Sequence, residues 1–230
     1  MSTLSHAKKI LVLGATGGTG QLIIRQALAK GYDVTALVRS PEKGAGLTGV
    51  KLAIGDARDE AALRQAIRGQ DAVVSALGTP PSPFKEVTLL STATRAVVNA
   101  MQAEGVSRLV AITGIGAGDS AGHGGFAFDH LILPLLLRNV YIDRNRQEAA
   151  VRNSGLDWTL VRPSVLNDKS RKGAPRARRP VAISWRHHCP SGRRRLHSGR
   201  IGEWPVATWL ASHQLVKRRQ PTYVQMSLKL

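Results

Sequence analysis

Three glycines at intervals of three, Gly14, Gly17 and Gly20, punctuate the segment GATGGTG between the apolar run Ile10–Leu13 and a helical pattern that begins behind it. That spacing suits the binding of a pyrophosphate. Gly14 serves where the backbone leaves a strand, Gly17 where backbone approaches a ligand with no Cβ in the way, and Gly20 where helix packs on strand. The unpaired N–H groups at the head of the helix, together with the positive end of its dipole, supply the anion site. Strand before and helix after are the context a dinucleotide site requires. A glycine turn serving only a doubly wound sheet shares the spacing.

A second chemical signal follows the run Asp33–Val38, which reads as a strand ending at Arg39. A site for NAD places a carboxylate at this point to bind the ribose hydroxyls, whereas a basic residue accommodates the 2′-phosphate of NADP. Here Arg39 and Ser40 stand at the strand end, Lys43 follows, and the first carboxylate is Glu42. NADP(H) is therefore expected over NAD(H); an ordinary solvated arginine would look the same.

The elements that must position these residues can be followed along the chain. Strands are expected at Val50–Gly55, closed by Asp56, at Asp71–Leu77, at Arg108–Thr113 and at Trp158–Val161. Helices are expected at Glu60–Arg68, with Asp59 as N-cap, at residues 87–104, capped by Gly105, and at Asp143–Ser154. Six strands, most of them separated by helices, imply an α/β fold: a Rossmann-type doubly wound parallel sheet in three α/β/α layers, with strand order 3-2-1-4-5-6. Ligands of such sheets lie outside the carboxyl ends of the strands at the switch point between the first and fourth. The pocket walls are then Gly14 to Gly20, Arg39, Asp56, Ala76, Leu77 and Gly78, Thr113 with Gly114, and Arg162 with Pro163.

Composition narrows the class. A chain of 230 residues with 43% hydrophobic content fits one globular core. The longest apolar candidate, Leu131–Leu137, is too short to span a membrane, is broken by Pro134, and is expected in the core. The single cysteine, Cys189, and the lack of a basic-then-apolar leader are compatible with a cytoplasmic protein. The net charge of +18 is unevenly placed. Residues 1–168 hold 18 basic and 14 acidic residues, a net of +4; residues 169–230 hold 15 and 1, a net of +14. The expected organisation is a nucleotide-binding domain over 1–168 and a basic tail over 169–230.

The glycine segment, the turn GDARD and the block QEAAVRNSGLDWTLVRPSVL together resemble the atypical short-chain dehydrogenase/reductase proteins with an NAD(P)H-binding domain, a group that includes NmrA-like regulators and flavin (biliverdin-IXβ) reductases. The similarity covers roughly residues 7–168. The resemblance implies Thr16, Gly17, Gly18 and Thr19 around the pyrophosphate and Arg39 at the 2′-phosphate. It implies Asp56 and Ala57 at the adenine, although Asp56 also suits a turn or helix cap, and Thr113 near the nicotinamide or the acceptor.

One departure bears on mechanism. The large short-chain family uses a Tyr-x-x-x-Lys helix in which the lysine lowers the tyrosine pKa. Tyr141 is the only candidate here, and Asn145 stands four residues on. Tyr141 is thus expected to pack rather than exchange protons. Such a protein suits an acceptor that takes hydride without a strong protein acid, a small planar molecule such as a flavin, a quinone or an open tetrapyrrole, with Thr113 donating one hydrogen bond to it. The alternative is a non-catalytic, NADP(H)-sensing regulator of the NmrA-like kind. Arg144 and Glu148, one helical turn apart, are expected to form a surface ion pair, with pocket-facing roles as the alternative. Phe126 and Phe128 suit either an aromatic lid or simple anchors, and His123 and His130 lack the partners of a metal site.

Residues 169–200 carry nine arginines, two lysines and no acidic residue, without a helical or strand period. Three origins fit: a basic arm for nucleic acid or an anionic membrane, a solvated tail, or an altered reading frame replacing the closing strand and helix. Pro221–Leu230 again reads as an ordinary closing strand.

Overall fold

The structure is a computed structural model and describes residues 8–122 and 125–163, with the strands at 176–178 and 222–227 described by backbone alone. The chain alternates β1 (Lys9–Leu13), α1 (Gly18–Leu28), β2 (Asp33–Val38), the short α2 (Pro41–Gly44), β3 (Lys51–Ile54), α3 (Glu60–Ile67), β4 (Ala72–Ser75), α4 (Leu89–Ala103) and β5 (Arg108–Ile112). It continues through a wide π-helical segment, Phe128–Leu137, into α5 (Arg138–Arg152) and β6 (Asp157–Pro163), then β7 (Arg176–Arg178) and β8 (Thr222–Ser227). Strands β1 to β6 are parallel in the expected order 3-2-1-4-5-6, and β8 and β7 extend the sheet beyond β6.

Alternation along the strands builds two apolar layers. Leu11, Leu13, Val73, Leu109 and Leu160 face α3 and α4, packing with Leu63, Ile67, Val97 and Met101. Ile10, Val12, Val74, Val110 and Val161 point the other way, toward Ile23, Ile24 and Ala27 of α1. Both faces of β1 are thereby covered, which is why its sequence is a continuous apolar run rather than an alternating one. Asp59 caps α3 as expected, accepting hydrogen bonds from the N–H groups of Ala61 and Ala62. α4 has no side-chain cap of its own; the buried carboxylate of Asp143, from α5, accepts from the N–H groups of Leu90 (2.7 Å) and Ser91 (3.2 Å). One helix thus terminates another, and this locks α5 against α4.

Several expectations need correction. α5 begins at Arg138, five residues before Asp143, because it grows directly out of the preceding π-helical segment. Leu131–Leu137 is not core: no residue of Phe128–Leu137 is buried, and Leu131 and Leu135 are 62% and 66% exposed. Pro134 interrupts the regular ladder there, and apolar composition alone does not dictate burial. Arg176–Arg178, expected without a strand period, pairs antiparallel with β8. The closing strand expected at Pro221–Leu230 is present as β8, parallel to β6 with Val161 opposite Val224. The rest of the 169–200 segment, Cys189 and His123 lie outside the described residues.

Candidate functional site

The strand-turn-helix at the N-terminus is built by close backbone packing. Gly14 leaves β1 at φ +72°, and a Cβ there would stand 2.5 Å from the carbonyl oxygen of Ala76, at the end of β4. At Gly20 a Cβ would collide with the carbonyl of Gly14, so helix and strand touch through their backbones. Both glycines are demanded by the protein itself. Gly17 is different: its nearest protein atom to an added Cβ is the Gly14 oxygen, at an ordinary 3.5 Å. Nothing in the fold requires glycine at that position.

Gly17 is also the N-cap of α1, in extended conformation, with no side chain capping the helix and no acidic residue in its first turn. Thr16, Gly17 and Gly18 are exposed and Thr19 is half-buried. The head of α1 therefore presents N–H groups and its positive dipole end to solvent at the carboxyl edge of β1. A cradle of this form, kept open by a glycine that packing does not need, fits a pyrophosphate.

The next two strands bring Arg39 and Asp56 together. Val38 and Ile54 pair across β2 and β3, and Gly55 N–H donates to the Val38 carbonyl, so the residues that follow emerge side by side. Arg39 is exposed at this edge. Asp56 makes a turn, accepting from the Arg58 N–H (2.8 Å) and from both ends of the Arg58 guanidinium. Those hydrogen bonds, with smaller help from the charges of Arg58 and Arg39, hold its carboxyl at about 2. The turn alternative for Asp56 is thus realised, and its carboxylate stays charged next to Arg39. Ala57 is half-buried against the α3 side of the core, while Ala76 and Leu77 follow β4 beside the glycine turn and Gly78 is exposed.

Across the switch point, β5 and β6 end on a charge cluster that the sequence did not disclose. Glu148 is 1% exposed, and its carboxylate accepts from Arg162 Nε (2.9 Å) and Nη2 (2.5 Å), from Arg152 Nη2 (3.1 Å) and from the Thr113 hydroxyl (2.9 Å). Asp119 accepts from both Arg162 and Arg152. Gly118, at φ +56°, leaves the room these groups fill; a Cβ there would strike Glu148.

Three expectations change as a result. Glu148 is not half of a surface pair with Arg144 but the buried centre of this cluster. Arg162, placed among the pocket walls, is 3% exposed with its guanidinium engaged by Glu148 and Asp119. Thr113 is 2% exposed and spends its single hydroxyl proton on Glu148, so in this arrangement it has none to give an acceptor. The clue available in the sequence was periodicity: Tyr141, Glu148 and Val151 share one helical stripe, and that stripe is buried.

Tyr141 behaves as a packing residue. Its hydroxyl donates to the Ile115 carbonyl (2.8 Å), its ring meets Phe128 edge-on, and burial pushes its pKa above the ordinary value. Asn145 accepts from the Gly118 N–H (2.8 Å). Phe128 is therefore an anchor, whereas Phe126 is 81% exposed and stacks on His130. Among the described residues no group of His, Cys, Asp and Glu side chains could hold a metal, and no helix is long and apolar enough to cross a membrane.

The profile of the NAD(P)H-binding family matches residues 14–182, well over half of the chain. The chain belongs to that family. It is an NAD(P)H-binding protein. A relative from Streptomyces griseus, (4-alkanoyl-5-oxo-2,5-dihydrofuran-3-yl)methyl phosphate reductase, is 32% identical over 169 residues, covering 72% of this chain and 51% of its own length. The NAD(P)H-binding chain thus spans about half the length of that relative. ChuY, an anaerobillin reductase from Escherichia coli O157:H7, shares the fold with a TM-score of 0.67 at 21% identity, over 97% of this chain and all of its own. A short-chain dehydrogenase/reductase from Veillonella parvula in complex with NADP has a TM-score of 0.55 at 19% identity, over 76% of this chain and 77% of its own.

Proposed function

We propose that this NAD(P)H-binding chain is an NADP(H)-dependent oxidoreductase that transfers hydride to a small planar acceptor such as a flavin or quinone. The observation that carries this reading is Gly17: an exposed, uncapped helix head held open by a glycine that packing does not need. Thr16, Gly17, Gly18 and Thr19 would hold the pyrophosphate, Arg39 the 2′-phosphate, and Asp56 with Ala57 the adenine, with Gly14, Gly20, Ala76, Leu77 and Gly78 shaping the backbone around them. Thr113, Arg162 and Pro163 would line the nicotinamide end, the first two as parts of the rigid cluster beneath it. NADP(H), when bound, supplies the hydride. The protein's own share is to bind, orient and exclude water. The reductase names of the Streptomyces and Escherichia proteins, and the NADP bound to the Veillonella protein, support this assignment.

A second reading is favoured by the protons. Tyr141 gives its own to Ile115 and Thr113 gives its own to Glu148, which leaves neither poised as an acid. A non-catalytic NADP(H) sensor of the NmrA-like kind needs no acid at all. The two readings part on turnover: full-length protein mixed with NADPH and a flavin or quinone consumes the nucleotide if it is a reductase. Saturable NADPH binding with no consumption across these acceptors would contradict the reductase and leave the sensor.

A further inference from the structure

The cluster at the ends of β5 and β6 is unbalanced. Arg152 and Arg162 share two carboxylates, Glu148 and Asp119, and the Asp143 carboxylate is taken by the head of α4. Among the described residues a third arginine, Arg144, has no carboxylate of its own. It is half-buried on α5, with Nη1 against the α-carbon side of Gly114, 3.3 Å from where a Cβ would stand, and with its guanidinium carbon 5.6 Å from the centre of the Tyr141 ring. Its Nε is buried with no hydrogen-bond partner among the described residues. Gly114 directly follows Thr113, so this guanidinium sits at the carboxyl edge where the acceptor side of the site is expected.

A desolvated guanidinium is costly unless an anion meets it, and its planar fork of donors matches a carboxylate or phosphate two bonds at a time. Burial lowers its pKa, and the nearby Tyr141, Glu148 and Asp143 offset only part of that. Glu148 is already saturated by four donors and the Tyr141 ring offers the guanidinium only a cation–π contact, so among the described residues no carboxylate is left to pair with it and an external anion can. We propose that Arg144 is a binding residue for an anionic group, carboxylate or phosphate, on the acceptor. This rests on the reductase reading above and deepens it: the acceptor is planar and also negatively charged.

The test compares FMN and riboflavin, which share the same ring system and differ by one phosphate. Quenching of flavin fluorescence by the full-length protein, with saturating NADP present, gives both affinities; NADPH affinity is measured separately. The expected result is FMN binding about tenfold or more tighter than riboflavin, weakened by inorganic phosphate. In Arg144→Gln that preference disappears while NADPH affinity is unchanged, and Arg144→Lys recovers part of it. Circular dichroism of each variant establishes that it is folded. Equal binding of the two flavins by the wild-type protein, binding of neither while NADPH still binds, or a preference that survives Arg144→Gln overturns the proposal and leaves the nucleotide site standing. A parallel loss of NADPH affinity in Arg144→Gln also overturns it, since the arginine would then serve the cofactor's own phosphates. Failure of the wild-type protein to bind NADPH overturns both this inference and the reading it rests on.

Discussion

Gly17, Gly20 and Glu148 carry contrasting burdens that single substitutions can separate. Gly17→Ala adds a methyl group that meets protein only at ordinary contact distance, so unfolding free energy should change by about 1 kcal/mol or less while NADPH affinity falls at least tenfold. Gly20→Ala pushes the same methyl into the Gly14 carbonyl, and stability should drop by about 1–3 kcal/mol or more. Urea unfolding and nucleotide titration of the two variants check this; equal stability loss in both would remove the distinction. Glu148→Gln takes one charged partner from the buried Arg162, which keeps Asp119, and should cost about 1.5–3 kcal/mol in the same unfolding assay, with a cost under 1 kcal/mol contradicting the central role given to this carboxylate. For Asp56 the folded pKa of about 2 lies below the ordinary 3.8. Its contribution is therefore present above about pH 4 and is lost as pH falls toward 2. With a side chain 35% exposed, screening keeps that contribution to about 1 kcal/mol or less. An NMR titration should place the carboxyl near 2 in the wild type and part of the way back toward its ordinary value in Arg58→Ala, where the backbone N–H of residue 58 still donates; a value unchanged in the variant would point to another cause.

At the scale of elements, legibility followed the range of the interaction. The strand-turn-helix from Lys9 to Leu28, the end of β2 at Val38 and the Asp59 cap were readable because period, glycine placement and capping are local. The cap of α4 was not readable: Leu90 and Ser91 are satisfied by Asp143, more than fifty positions away. The same holds for Glu148, read as half of a surface pair, and for Arg162, read as a pocket wall, whose mutual contact exists only once β6 and α5 are packed together. Asp143→Ala is expected to lower stability by about 1–2 kcal/mol, because the first N–H groups of α4 would be buried without an acceptor. Hydrogen exchange should show the loss concentrated at the N-terminal turn of α4. Unchanged protection at Leu90 and Ser91 would mean that another acceptor replaces the carboxylate.

For the whole molecule, the sheet order places the glycine turn, Arg39, Asp56 and Thr113 on one edge, as the alternation of strands and helices implied. What composition misplaced was Leu131–Leu137, since the apolar character of a segment carries no information about what lies against it. The excess charge of residues 169–230 is separate from residues 1–168, whose net charge is +4 and where the proposed site lies. The account stands on that site being an NADP(H) site. Its most direct test is a fluorescence titration of the full-length protein with NADPH and NADH, alongside Arg39→Ala. The predicted result is saturable binding that favours NADPH by about tenfold or more, a preference lost in Arg39→Ala as the charge-assisted bonds to the 2′-phosphate disappear. Equal affinity for the two nucleotides, or no binding of either, would contradict it.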